Sequence, residues 1–159
     1  ASIKEKYEYV GKTFSIVVPE KIEQIIEEGQ ALKHCLDRSD RYFERIANQE
    51  SYIVFLRRTQ AIEQPYYTLE IEPDGTTRQK RTVGDNQNND YHRAEKFLKK
   101  WQAAIRPRLS QEDFERQEIS RQLRMYELES LRNDKVTVHG GIHAGELLAD
   151  ILEADLMEA

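Results

Sequence analysis

The sequence predicts an α+β protein in which an antiparallel three- to four-stranded meander packs against helices, with a helical C-terminal appendage. Two observations support this fold class. Three strand-like segments follow one another with short connections, which indicates a meander and not the alternating order of a parallel sheet. A later segment repeats apolar residues at helical spacing, which predicts an amphipathic helix. We place the α+β domain at residues 1–108 and an acidic, helical extension at residues 109–159.

The N-terminal part predicts one strand followed by helices. Thr13–Val18 alternates as a strand does. Pro19 suits the first turn of a helix, and Gly29 weakens or ends that helix. Residues 30–36 are predicted as a further short helical turn, and Asp37–Gln49 as the next helix.

The meander itself occupies the middle of the chain. Ser51–Arg58 is apolar on both faces, which predicts a central strand covered on both sides. Tyr66–Glu72 places apolar side chains on one face and polar ones, including Glu70, on the other. Pro73–Gly75 is a strong turn signal, and Thr76–Val83 returns as the next strand.

The C-terminal part is predicted to be helical. Asp90–Arg106 has the clearest helical periodicity, and Pro107 ends it. Ser110 opens a capping-box pattern for a long, charged helix that runs to about Arg132 with only loose periodicity. Glu146–Met157 predicts a short acidic amphipathic helix.

Composition excludes several classes of protein. The chain has 159 residues, of which 33% are charged and 38% are apolar, too apolar for disorder throughout. No run approaches the ~18 apolar residues of a membrane span, so we expect no membrane and a cytoplasmic protein. One cysteine excludes a disulfide framework within the chain. His139 and His143 lie in a glycine-containing segment, so we expect no metal site there, and we predict no cofactor.

Charge is distributed unevenly along the chain. Residues 1–75 carry a net charge of −4, residues 76–108 carry +6, and residues 109–159 carry −7. The basic middle segment fits a surface that faces phosphates, but it also fits a solvated helix face or an internal match with the acidic C-terminal part. The candidate nucleic-acid-binding residues are Arg78, Lys80, Arg81, Arg93, Lys96, Lys99 and Lys100.

His34 and Cys35 are the candidates for nucleophilic chemistry. A cysteine nucleophile needs a base that accepts its proton, and adjacent residues do not face one another on a helix or a strand. Cys35 would therefore need a more distant base. The alternative is that Cys35 is a small buried residue and that His34 is held by hydrogen bonds.

A second candidate site centres on the polar face of the meander. Arg57 and Glu70 lie on neighbouring predicted strands, and a suitable register would let them line a pocket that holds a phosphate or a ribose, with Glu70 as general base. The alternative is a salt bridge on a solvated sheet face. The other polar residues assigned to this pocket are Tyr42, Tyr66, Thr68, Gln79 and Asn86.

Several short blocks follow one another in a fixed order between about Lys12 and Gln102. They are Glu28-Gly29, Leu32-Lys33-His34-Cys35-Leu36, Tyr42, Ile53-Val54-Phe55-Leu56-Arg57, Pro65-Tyr66-Tyr67-Thr68-Leu69-Glu70-Ile71, Gln79, Gly84, Asn86, Phe97-Leu98 and Trp101. In this order the blocks resemble the PcfJ-like proteins. The chain departs from the family pattern at Leu36, where Val is usual, and at Gln49, where a Gly is usual nearby.

The resemblance implies a protein carried on conjugative plasmids, integrative elements or phages. We therefore expect a binding domain that engages nucleic acid or another protein encoded by the element. The alternative is an enzyme that acts on a nucleotide, nucleic acid or peptide through a polar pocket of His34, Arg57 and Glu70, with Cys35 as a further catalytic candidate. A homo-oligomer formed through residues 110–159 is a further expectation.

Overall fold

The structure is a computed structural model that describes residues 2–28, 40–82 and 91–159. A five-stranded antiparallel sheet forms its centre, with the strands in chain order. The predicted α+β class and antiparallel meander are confirmed, and a short first strand adds to the predicted number. The strands are β1 (Tyr9–Val10), β2 (Phe14–Val17), β3 (Tyr52–Arg58), β4 (Tyr67–Ile71) and β5 (Thr77–Thr82).

Helices precede, interrupt and follow the sheet. The predicted turn at residues 30–36 lies outside the described residues, and the last helix is shorter than the predicted 146–157. No helix in the described parts of the chain is long and apolar enough to cross a bilayer. The helices are α1 (Ile3–Tyr7), α2 (Ile22–Glu28), α3 (Asp40–Ala47), α4 (Tyr91–Ile105), α5 (Gln111–Asn133) and α6 (Leu148–Asp155).

One face of the sheet is apolar and is covered by α4. The side chains of Leu98, Trp101 and Ile105 are fully buried there, among the residues of β2, β3 and β4 that point to this face. The indole Nε1 of Trp101 donates a hydrogen bond to the carbonyl oxygen of Tyr7 at 2.8 Å, which ties α1 to the same face. The helical periodicity of the sequence therefore identified the buried side of α4 correctly.

The turn between β4 and β5 packs against the end of α4. Gly75 has a φ of +92°, and a Cβ atom at this position would lie 2.9 Å from the Cδ1 atom of Ile105. Glycine meets both requirements, because it tolerates positive φ and has no side chain. The hydroxyl of Tyr7 donates to the carbonyl oxygen of Pro73 at 2.7 Å and fixes the turn from the other side.

The opposite face of the sheet is divided into an apolar and a polar part. Ile53 and Phe55 of β3 pack with Leu131, Leu148 and Ala149 of the last two helices. Along β4 and β5 the same face carries charged and amide side chains, which α3 and α5 cover. This polar part contains the candidate site.

The end of the described chain runs along the edge strand β5. The carboxylate of Asp155 lies 3.2 Å from Lys80 Nζ and 2.6 Å from Arg81 Nη1. Thr77 and Met157 exchange two backbone hydrogen bonds of 2.8 Å. The acidic C-terminal part thus lies against the basic segment, which is one of the alternatives that the charge distribution left open, and it covers the exposed edge of β5.

Candidate functional site

Glu70 is the centre of the polar part of the sheet. Its side chain has no exposed surface, and the β4–β5 register places Gln79 directly opposite it. Arg45 of α3 binds the carboxylate with two nitrogens, Nε to Oε2 at 2.6 Å and Nη2 to Oε1 at 3.1 Å. The hydroxyl of Ser51 donates to Oε2 at 2.6 Å, and Gln79 Nε2 donates to Oε1 at 3.1 Å. Both oxygens therefore accept hydrogen bonds from protein groups.

A second buried carboxylate, Glu72, connects the sheet to α5. Arg78 Nε lies 2.6 Å from Glu72 Oε2, and Arg124 Nε lies 2.7 Å from the same oxygen. Gln117 Nε2 donates to Oε1 at 2.7 Å. These contacts join β4, β5 and α5 through charge-assisted hydrogen bonds, which are stronger than neutral ones.

Arg78 links the two carboxylates into one cluster, because its Nη1 lies 4.0 Å from Glu70 Oε2 while its Nε contacts Glu72. Arg78 Nη1 contacts Glu50 Oε2 at 2.8 Å, and Arg45 Nη1 contacts Glu127 Oε2 at 3.4 Å. Three guanidinium groups thus share four carboxylates. We call this cluster the ionic network; it consists of Arg45, Glu50, Glu70, Glu72, Arg78, Arg124 and Glu127.

The electrostatics of the network keep its central groups charged. Burial opposes ionisation of Glu70, but Arg45, Arg78 and the hydrogen bonds outweigh burial and hold the pKa of Glu70 below its ordinary value of 4.5. Burial alone would lower the pKa of Arg78, yet the carboxylates of Glu70 and Glu72 raise it. A carboxylate with a low pKa and occupied oxygens is a poor proton acceptor at neutral pH.

The space beside Glu70 is small. A cavity of about 40 Å³ lies between the network and the apolar side chains Leu152 and Leu156. This volume is close to the ~30 Å³ that one water occupies in the liquid, and far below the ~300 Å³ at which ligand pockets begin. The cavity is smaller than an ordinary ligand pocket, and the arrangement around it can hold α3 and α5 on the sheet.

The structure brings together only part of the predicted polar pocket. Glu70 and Gln79 are in contact, but Arg57 lies four positions along β3 from Ile53, the residue that pairs with Glu70. The guanidinium of Arg57 donates to the carbonyl oxygen of Ile62 at 2.6 Å. The sequence alone does not specify which residue of β3 pairs with Glu70, because Ser51–Arg58 is apolar on both faces.

The remaining predicted pocket and catalytic residues are scattered or lie outside the described chain. Thr68 is buried on the Glu70 side of β4, whereas the ring of Tyr66 stacks on Phe14 with centroids 6.1 Å apart and belongs to the apolar core. Tyr42 lies in α3. His34, Cys35 and Asn86 lie outside the described residues, so their catalytic and binding roles stay predictions.

The predicted nucleic-acid-binding residues divide into two groups. Arg78, Lys80 and Arg81 on β5 are buried and paired with carboxylates inside the fold. The four cations of α4 are exposed instead, on the side of the helix that faces away from the sheet. They are Arg93, Lys96, Lys99 and Lys100.

The sequence analysis did not predict Arg45 and Arg124 of the network, or Gln117, which donates to Glu72. Each is a polar residue on a helix, and helical periodicity identifies a buried side only from its apolar residues. Among the residues described, no group of three or more His, Cys, Asp or Glu side chains could hold a metal ion.

The fold and the network define an α+β domain in which charged side chains fasten helices to one face of an antiparallel sheet. The family model for PcfJ-like proteins matches residues 1–96, and the chain belongs to this family. An uncharacterized protein of Listeria innocua is 29% identical to the chain over 105 residues, which cover 64% of this chain. The chain spans 22% of the length of that relative. No solved structure is significantly similar to the chain.

Proposed function

We propose that this chain is a binding domain of a mobile genetic element and that it contacts nucleic-acid phosphates through the outer face of α4. The family resemblance supports the association with a mobile element. The observation that carries the proposal is the exposure of Arg93, Lys96, Lys99 and Lys100 on one side of a helix whose other side is held in the core.

The geometry of α4 suits a phosphate backbone. Residues 93 to 100 extend over about 10 Å of helix, and duplex DNA carries about six phosphate charges over that length. Because Leu98 and Trp101 are fully buried, the cations project from a helix with a fixed position. Cations that neutralise phosphates release counterions from nucleic acid. Because α4 is already ordered, binding would cost little conformational entropy of the helix.

The surrounding charges leave this face positive. Glu95 is the one acidic residue of α4, and it is half-buried and close to His92 at 3.5 Å. Asp155 of the acidic C-terminal part is directed to other partners, since it pairs with Lys80 and Arg81. Glu158 lies nearer, because its carbonyl oxygen accepts a hydrogen bond from Lys99 Nζ, and Lys99 is therefore left out of the test below.

The test compares two triple variants in titrations with short duplex DNA and single-stranded RNA across a salt series. In the first variant Arg93→Gln, Lys96→Gln and Lys100→Gln remove exposed cations from α4 without weakening the helix. We expect binding to weaken by about tenfold or more, and the slope of log affinity against log salt to fall by about 0.9 per lost phosphate contact.

The matched control removes three exposed cations elsewhere, through Lys12→Gln, Lys21→Gln and Lys135→Gln. It should keep both the affinity and the salt slope of the unmodified protein. A flat salt dependence of the unmodified protein, or equal weakening of both variants, would contradict the proposal.

The alternative function, an enzyme that works through His34, Cys35, Arg57 and Glu70, stays a prediction. The carboxylate of Glu70 already accepts hydrogen bonds from protein groups, and Arg57 lies four positions along β3 from the residue that pairs with Glu70. Both observations favour the binding function over the enzyme.

A further inference from the structure

A cleft of about 370 Å³ lies between α3 and α5. Glu44 of α3 and Asn48, which directly follows α3, line one side, and residues from Leu123 of α5 to its C-cap Asp134 line the other. Those α5 residues recur at intervals of three and four, so they occupy one side of the helix over about 16 Å. The volume lies within the range of ligand-binding clefts and suits a few side chains of a partner.

An exposed apolar stripe on α5 adjoins this cleft. The exposed fractions of Ile119, Leu123 and Tyr126 are 59%, 44% and 74%, and Leu123 and Tyr126 also line the cleft. The intervals of four and three residues place the three side chains in one row, on a different side of α5 from its buried residues Ser120 and Arg124. A continuous apolar row beside a cleft is typical of an interaction surface.

The charge of the cleft is negative. The exposed carboxylates Glu44 and Asp134 line it, and the network carboxylates Glu50 and Glu127, which pair with Arg78 and Arg45, line it as well. The cationic group on its wall is Arg45, which already contacts Glu70 and Glu127. An apolar row with carboxylates along its border complements a segment that presents apolar side chains next to lysine or arginine.

We propose that the α3–α5 cleft and the α5 stripe bind a basic amphipathic helix of another protein. Apolar side chains of that helix pack on Ile119, Leu123 and Tyr126, and its flanking cations enter the cleft toward Glu44 and Asp134. This is the helix-in-groove mode of recognition, in which residues at three- and four-residue spacing anchor the helix.

The charge and the packing argue against other occupants. Phosphates of nucleic acid or of anionic lipids are repelled by the carboxylates of the cleft. The basic helix α4 of a second copy does not supply the apolar side chains, because Leu98 and Trp101 are buried in its own core. The surface lies on α5 and is separate from the cations of α4, so the inference goes beyond nucleic-acid binding.

The experiment measures binding of a fluorescently labelled synthetic helix with leucines on one side and lysines on its flanks. The comparison peptide has glutamates in place of the lysines. We expect saturable binding of the lysine peptide to the full chain, about tenfold weaker binding after Leu123→Ser with Tyr126→Ser, and negligible binding of the glutamate peptide.

Matched controls separate this surface from general attraction to an acidic protein. The apolar control is Val10→Ser with Ile142→Ser, two exposed residues on β1 and on the loop before α6. The double variant Glu44→Gln with Asp134→Asn should weaken the binding of the lysine peptide and reduce the salt dependence of that binding. The charge control, Glu5→Gln with Glu23→Gln, should leave both unchanged.

Three results would overturn the proposal. The first is a lack of saturable binding of the lysine peptide, and the second is equal binding by the cleft variants and their controls. The third is self-association of the unmodified chain in sedimentation that Leu123→Ser with Tyr126→Ser abolishes, because the occupant would then be a second copy. Thermal melting of each variant shows that a loss of binding is not a loss of fold.

Discussion

Helices α4 and α5 lie on opposite faces of the same sheet, and the residues that they bury differ in kind. The buried side of α4 is apolar except for Gln102, and its buried apolar residues are Ala94, Leu98, Trp101 and Ile105. The buried side of α5 carries charged and polar residues over most of its length, and Leu131 is apolar near its end. The buried polar residues of α5 are Asp113, Gln117, Ser120 and Arg124.

This contrast has consequences for stability. Apolar burial is non-directional and scales with the area removed from water, so α4 tolerates changes that conserve volume. A buried charge is tolerated only when its partner is present, so each contact of α5 with Glu72 and Arg78 depends on the others. We therefore expect the two faces to respond differently to substitution, acid and salt.

The largest effect is expected on the apolar face. Trp101→Ala removes a fully buried indole and should lower the free energy of unfolding by about 4 kcal/mol. Urea unfolding followed by far-ultraviolet circular dichroism measures it, since Trp101 is the single tryptophan. Trp101→Phe keeps most of the apolar volume and should lose less. A loss from Trp101→Ala below about 1 kcal/mol would show that α4 is not held by this packing.

The next effect is expected on the polar face. Glu72→Gln conserves the shape of the side chain but leaves Arg78 and Arg124 without their shared charge, and should cost about 3 kcal/mol of stability. Urea unfolding measures it at neutral pH. Glu23→Gln, an exposed substitution on α2, should leave the midpoint almost unchanged. Equal midpoints for the two variants would mean that water already solvates the network.

Acid should distinguish the two faces further. Because the pKa of Glu70 is lower in the folded protein than its ordinary value of 4.5, the unfolded chain binds more protons in this range. The contribution of Glu70 to stability is therefore present above about pH 4.5 and is lost as the pH falls through the lower pKa of the folded protein. The free energy of unfolding, measured at a series of acidic pH values, should change less with pH for Glu70→Gln than for the unmodified protein. For Trp101→Ala it should change with pH as it does for the unmodified protein. Parallel curves for all three proteins would contradict this role of Glu70.

The same contrast explains how much of the fold was predictable from the sequence. The repeat of apolar residues identified α4 and its buried side, and the Pro73–Gly75 turn set the β4–β5 hairpin. The start of α5 followed from its Ser110 cap, but its buried side did not, because a buried Arg124 looks like a solvated residue until Glu72 is known to face it.

The candidate site was less predictable for the same reason. Glu70 and Gln79 could be placed together by the meander, but the partner of Glu70 is Arg45 on a helix 25 residues earlier in the chain, and not Arg57 on the adjacent strand. Counting charge likewise could not distinguish Lys80, which is buried against Asp155, from Lys96, which is exposed. Pairing between distant charges depends on register and helix rotation, which local sequence does not specify.

The smallest effect is expected at the N-terminus of α5. Ser110 Oγ accepts a hydrogen bond from the backbone N–H of Asp113 at 3.2 Å, and the carboxylate of Asp113 also pairs with Lys6 of α1 at 2.8 Å. Ser110→Ala removes this cap and should lower the unfolding free energy by about 1 kcal/mol, because the rest of α5 stays fastened by Glu72. Urea unfolding of Ser110→Ala and Ser110→Asn measures it, since asparagine restores a capping oxygen. If asparagine were as destabilising as alanine, the position of α5 would depend on the ionic network and not on its cap.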